Sequence, residues 1–158
     1  MPSTKNLEHW HFVKGLDPVA NAFASTVYSD VVSMATYEKC MFVIYVGVGA
    51  SGTSTLTVEA CDDFTPSNTS AIVFHYREVT SGDTEGAMTK ATTSGFLTTA
   101  GSSRIVIVEV SQEDLAASGY KNVRLKAVEG TASAVLGSIL VIQTHPRYAK
   151  SAKPTTIA

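Results

Sequence analysis

The chain reads as an all-β protein, a sandwich or barrel of about eight short antiparallel strands, and three observations predict it. Short apolar or alternating runs recur along its 158 residues, each bounded by Gly, Ser, Thr, Asn or Pro clusters that favour turns. Where alternation is clean it has the two-residue period of a strand: in "NVRLKAVE", Val123, Leu125 and Ala127 fall on one face and Arg124 and Lys126 on the other. Thr, Ser, Val, Ala and Gly are the residues most visible by eye, a mix that suits pleated strands and tight turns better than long helices. A chain of this length supports one well-buried core. The expected organisation is therefore a β-sandwich domain over residues 16–144, with an N-terminal arm at 1–15 and a C-terminal arm at 145–158.

Residues 1–15 are polar and irregular, and Leu16, Asp17 and Pro18 predict a turn before a mostly apolar stretch. Strands are predicted over 27–34, 40–46, 54–60 and 72–78, a weaker one near 95–98, and then over 103–110, 122–129 and 135–143. "FTPSNTS" after Asp63 and "TSGDTEG" after Val79 carry loop chemistry. The run "IVIVEV" is apolar on both faces until Glu109, which predicts a central strand covered on both sides. Ser111 followed by Asp114 three residues on has the form of a capping box, and Ser118-Gly119 supplies a stop, so one short helix is expected between two strands. From His145 the chain is polar, holds two prolines and lacks an apolar period, which predicts an extended arm.

The most suggestive motif is "GVGASG", Gly47 to Gly52, a literal G-x-G-x-x-G after an apolar run. A dinucleotide turn needs a helix directly after its third glycine, because the helix N-terminus binds the pyrophosphate. Here "TSTLTVEA" follows, alternating and rich in β-branched residues, so the motif reads as a flexible hairpin loop between two strands. No Lys follows the last glycine, which removes the other phosphate-binding loop. His9 and His11 flank Trp10 at a spacing found in metal sites, but only Glu8 lies near them. His75 reads as a solvated strand histidine, with His75 and Arg77 on one face and Phe74 and Tyr76 on the other. Asp62-Asp63 lacks the alternating oxygen ligands of a calcium loop. Glu113-Asp114 fits a helix first turn, and no G-x-S-x-G elbow is present. Catalysis, a resident cofactor and a metal are all unexpected.

Formal charge is −2 with only 16% charged residues, so there is no basic stripe to follow a phosphate backbone and nucleic acid is not an expected partner. The N-terminus shows no secretory h-region, and the longest apolar run, 134–142, is broken by Gly137 and Ser138 and is too short to span a bilayer. A soluble protein made in a cytoplasm is expected. Cys40 and Cys61 read as reduced, buried small apolar residues. If a hairpin at Gly47 to Gly52 set their strands side by side, a Cys40–Cys61 bridge would be open to them in an oxidising setting.

Four stretches, "GLDPVANAFASTVYSDVVSM", "GTSTLTVEACDDFTPSNTSAIVFHYREVTSGDTEGAMTKATTSGF", "GSSRIVIVEVSQEDLAASGYKNVRLKAVEG" and "VLGSILVIQTHPRYAKSA", together resemble a group of small proteins encoded among the virion genes of tailed phages and prophages. The resemblance runs from Gly15 to about Ala152 and lies in texture and phrases, with no catalytic motif. It implies a structural component of the virion. In such gene clusters a jelly-roll β-sandwich commonly serves as a capsid decoration, or cement, protein, often as a cyclic oligomer. A homotrimer bound to the major capsid protein on the capsid surface is thus the implied assembly, with other virion parts (neck, tail or fibre) and a carbohydrate-binding module as alternatives. The resemblance carries over no contact residues. From the arms themselves, the expected partner contacts are Trp10 and Phe12 at the N-terminus and Tyr148 at the C-terminus.

Overall fold

The structure, a computed structural model, describes residues 5–49, 51–148 and 153–157. Among the described residues, thirteen strands and two short helices make up the body. The first helix, α1, is Asn6–His9, and the first strand, β1, is His11–Val19. Strands β2 (Thr26–Tyr28), β3 (Val32–Ser33), β4 (Tyr37–Val46), β5 (Thr53–Cys61), β6 (Thr69–Ile72) and β7 (Phe74–Ser81) follow. After them come β8 (Thr84–Glu85), β9 (Thr89–Ala91), β10 (Phe96–Leu97), β11 (Arg104–Ser111), the helix α2 (Gln112–Ala116), β12 (Asn122–Thr131) and β13 (Gly137–Pro146).

Two antiparallel sheets face each other. The larger has seven strands in the order β1-β13-β4-β11-β7-β8, with β9 also on β7; the smaller has six, β10-β5-β12-β2, with β3 on β12 and β6 on β5. Taking β2 and β3 as one broken strand, the chain places β1, β13, β4 and β11 in one sheet and β2/β3, β12, β5 and β6 in the other. That interlocking order is a jelly roll, with β7 to β10 inserted before β11. The inward positions of both sheets form one core that includes Phe42, Ile44, Leu56, Val58, Phe74, Val106, Val108, Val123, Leu125 and Val141. Alternation in "NVRLKAVE" holds: Val123, Leu125 and Ala127 are buried, and Arg124 and Lys126 lie on the other face.

The residues expected to be an N-terminal arm are in part a strand. Residues 11–19 form β1 and pair with β13 in the register Phe12↔Ile142 and Lys14↔Leu140. The inward positions here are Val13 and Gly15, and a Cβ on Gly15 would meet the methyls of Ile139 and Val141 at 3.0 Å each. A glycine in an inward position, next to Lys14 and Asp17, hides the strand period. Pro18 is tolerated because β1 is the sheet edge. The predicted 27–34 strand is broken into β2 and β3 around Ser29, whose backbone N–H donates to Leu125 and whose hydroxyl accepts from the Leu125 N–H.

The C-terminal segment is not free either. His145 and Pro146 belong to β13, the expected arm's residues 149–152 lie outside the described residues, and 153–157 turns back onto the body. There the Thr156 carbonyl accepts from the Ser33 N–H at 2.7 Å, Ile157 packs on the core, and the Lys153 ammonium donates to the carbonyls of Leu7 and Trp10.

Gly47 to Gly52 does not close a hairpin. Its flanking strands β4 and β5 belong to different sheets, so the segment crosses from one to the other. It is held in place: the Gly47 N–H donates to Leu136, the Ser103 N–H to Gly47, the Leu136 N–H to Val48, and the Gly49 N–H to the Ser102 hydroxyl at 3.2 Å. Residue 50 of this crossover lies outside the described residues. Because the two strands are not neighbours, Cys40 and Cys61 are buried free thiols rather than a cross-strand bridge.

Candidate functional site: an apolar sheet face

The outer face of the larger sheet departs from the pattern of a half-buried sheet with one wet side. Reading across it from β1, one register row is Phe12, Ile142, Met41, Glu109, His75 and Lys90. The next is Lys14, Leu140, Val43, Ile107 and Arg77, and a third is Ser138, Tyr45, Ile105, Val79 and Glu85. Over β13, β4 and the first half of β11, most outward positions are therefore apolar. Tyr45 is 58% exposed, Phe12 45% and Leu140 39%, while Met41, Val43, Ile105, Ile107 and Ile142 are half-buried.

Charged pairs border this apolar area. Lys14 pairs with Asp17 at 3.0 Å, Lys39 with Glu109 at 3.0 Å, and Arg77 with Glu85. A shallow groove of about 200 Å³ runs off its β7 side, lined by Met41, Ile107, Met88 and the Arg77–Glu85 pair. An apolar centre with a polar rim is the anatomy of a protein–protein contact, and clustered exposed apolar side chains mark such sites.

The opposite face of the sandwich is different. Thr53, Thr55 and Thr57 point outward from β5, and Glu59 sits between Arg124 at 2.7 Å and Lys126 at 3.3 Å. Arg124 also stacks over the ring of Tyr28, 4.0 Å from its centre. These charges are satisfied among themselves in a largely buried cluster, so the outward positions of β5 and β12 are polar and paired rather than apolar.

The expected contact residues divide accordingly. Phe12 stands on the apolar face at the β1 edge, and Trp10 lies next to it with ring centres 6.3 Å apart and planes tilted by 54°. The tilt does not make the flat aromatic platform that a sugar ring would stack on. Tyr148 is 72% exposed beyond the end of β13, outside the register rows of the face.

Sequence reasoning missed the larger part of the surface. Met41, Val43, Tyr45, Ile105, Ile107, Leu140 and Ile142 lie in runs that are apolar at nearly every position. For "IVIVEV" that pattern predicted cover on both sides. The structure covers one side only, burying Val106, Val108 and Val110 and leaving Ile105 and Ile107 half-exposed. The uncovered apolar positions were the available signal.

His9 ends α1 while His11 stacks on Tyr37, ring centres 5.7 Å apart, and burial with the nearby Lys153 lowers the His11 pKa. Among the described residues no group of three or more His, Cys, Asp or Glu side chains is placed to hold a metal ion. Asp62 accepts from the N–H groups of Ser67 and Asn68 and from the Asn68 amide, which organises its own loop and lowers its pKa. An open polar cleft beside the apolar face holds Glu38, Lys39, His75, Lys90, Glu109 and Ser111. Its one hydroxyl, on Ser111, donates to Asp114 at 2.8 Å and accepts from the Asp114 N–H, completing the predicted capping box. Burial pushes the Cys40 thiol far up and the Cys61 thiol up to about 11, so neither is a ready nucleophile. Among the described residues no helix is long and apolar enough to cross a membrane. No model of a known protein family matches the chain, and no curated protein matches it.

Proposed function

We propose that the protein is a capsid decoration, or cement, protein of a tailed phage, which binds the major capsid protein on the outside of the shell and acts by binding alone. The observation that carries this reading is the asymmetry of the jelly roll: one outer face apolar in register across neighbouring strands, the other carrying polar, internally paired side chains. An apolar face of this kind favours a permanent partner, because its release would return that surface to water. The resemblance to virion proteins supplies the identity of the partner and the expected homotrimer. Repeated over a lattice, modest individual contacts add through multivalency and hold adjacent capsid subunits together.

Mixing purified protein with shells lacking it tests the proposal. Wild type is expected to co-sediment with the shells and raise the temperature at which they rupture. A Leu140→Lys/Tyr45→Lys variant changes two side chains already 39% and 58% exposed. It should keep its own melting temperature within roughly 2–4 °C, since surface changes cost up to about 0.5 kcal/mol each, and it should lose shell binding. Shells that rupture at the same temperature with and without wild type, or a variant that binds unimpaired, would sink the proposal. A particle reconstruction with the chain at the neck or tail would instead favour another virion role.

A further inference from the structure

The two edges of the larger sheet both resist strand pairing, but they have opposite shapes. At one edge β1 carries Pro18, two register shifts and the Gly15 carbonyl, which accepts the Asp30 N–H at 2.8 Å. At the other edge β7 is bordered by two fragments, β8 beside Val79 and Ser81 and β9 beside residues 74–76. Short, bulged or proline-bearing edges block backbone addition, so a contact across these edges is made by side chains.

Between β8 and β9 the edge is notched. Gly86 hugs β7: its N–H donates to the Glu78 carbonyl at 2.8 Å, and a Cβ there would lie 3.0 Å from the same oxygen. Ala87 and Met88 after it belong to neither strand, and Met88 is 63% exposed. With Met41 and Ile107, Met88 lines the groove of about 200 Å³ on the outward face, which has room for one aromatic side chain. Methionine walls adapt to such a guest. Phe12 stands at the opposite edge of the same face, backed by Trp10.

The charges beside the two features are complementary. Lys14 and Asp17 flank Phe12, and Arg77 and Glu85 flank the groove. Their side chains are exposed by 80% and 68% in the first pair and by 33% and 52% in the second. Pairs this wet contribute little within one subunit, so they are open to exchanging partners, Lys14 with Glu85 and Asp17 with Arg77.

We infer that the groove receives Phe12 from a second copy of this chain, with Lys14 of that copy meeting Glu85 and its Asp17 meeting Arg77. The inserted side and the receiving side are different surfaces, so the contact is heterologous and repeats until it closes into a ring. It thereby supplies the subunit contact of the homotrimer in the role proposed above, on which it rests. A ring axis normal to the sheet sets the apolar faces of all copies side by side, presented to one partner.

Light scattering on a size-exclusion column, without shells, tests the contact. Wild type is expected to elute at the mass of three chains. Phe12→Asp and Met88→Asp each remove the apolar anchor or its pocket wall, and should each weaken assembly roughly 30-fold or more and give monomers. Mixed, the two variants should form a heterodimer at high concentration, because Phe12 of the Met88→Asp chain still fits the groove of the Phe12→Asp chain. Lys14→Glu and Glu85→Lys, at exposed positions, should each weaken assembly several-fold and restore it when combined in one chain. A wild type that stays monomeric or stops at two chains overturns the inference, as do variants that assemble like wild type or a mixture without heterodimer. Co-sedimentation with shells reads the docking role separately: monomeric wild type that still binds shells sinks the ring alone, and trimers that ignore shells sink the docking role alone.

Discussion

Gly52→Ala separates a pinned crossover from a flexible loop by the sign of its effect. Gly52 is not in the left-handed region, so backbone freedom is not why glycine is needed there; space is. A Cβ at this position would lie 2.3 Å from the Val135 Cγ2 and 2.8 Å from the Ser133 carbonyl oxygen. Val135 is buried in the core and the carbonyl belongs to the backbone, so neither clears the way by a simple rotation. Overpacking of this kind costs about 1–3 kcal/mol, equivalent to a drop of roughly 2–12 °C in melting temperature for a chain of this size. In an unconstrained loop the same substitution would stabilise by about 0.4–1 kcal/mol, because it narrows the unfolded ensemble. Gly47→Ala is the control: its Cβ would approach the Leu136 Cδ2 at 3.0 Å, at the end of a side chain 42% exposed and free to turn. Adding Val135→Ala should recover part of the Gly52→Ala loss, with a coupling of about 0.5–3 kcal/mol. Differential scanning calorimetry of wild type, Gly47→Ala, Gly52→Ala, Val135→Ala and the Gly52→Ala/Val135→Ala double variant decides it. If Gly52→Ala melts at or above the wild-type temperature, the close packing of the crossover is refuted.

Two further predictions concern the chain ends and the thiols. Removing residues 1–10 should leave the sandwich folded, whereas removing 1–19 strips β1 from β13, uncovers Ile139 and Val141, and should lower the melting temperature well beyond the shorter deletion; equal effects would show that β1 contributes nothing. Cys40 and Cys61 should resist a disulfide-exchange reagent at pH 8 in the native protein and react promptly in denaturant. Since burial raises the Cys61 pKa from 9.0 to about 11, the unfolded chain loses its proton first. The thiol's contribution is complete below pH 9 and declines as pH rises toward 11, so stability should fall over that interval, and Cys61→Ala should lessen the fall while the buried Cys40, raised still further, keeps its own share.

The strands that could be read directly are those whose two faces differ in polarity. β12 alternates between Val123, Leu125 and Ala127 inside and Arg124 and Lys126 outside, and Ser111 with Asp114 marks α2 by local hydrogen bonding alone. β1 escaped because its period is carried by Val13 and by a glycine that is inward for lack of a side chain. The Gly47 to Gly52 segment showed that the chain must turn, but a turn within a sheet and a crossing between sheets use the same small residues. Only the partners of β4 and β5 tell them apart. The apolar face was hidden for a different reason. Residues such as Val43 and Ile107 have the composition of a core, and nothing local distinguishes a strand covered by its own chain from one left for another chain to cover.

The contact between Lys153 and the carbonyls of Leu7 and Trp10 brings the first and last described segments to one corner of the molecule, next to the β1 edge. A domain attached next to either of these segments would sit near Phe12 and crowd the apolar face. Linking these two segments and opening the chain at Gly82, where a turn with φ +54° faces open space beside β8, would move the attachment point to the far edge of the same sheet. A circularly permuted form of this jelly roll is therefore the better vehicle for displaying a foreign domain while leaving the apolar face uncovered.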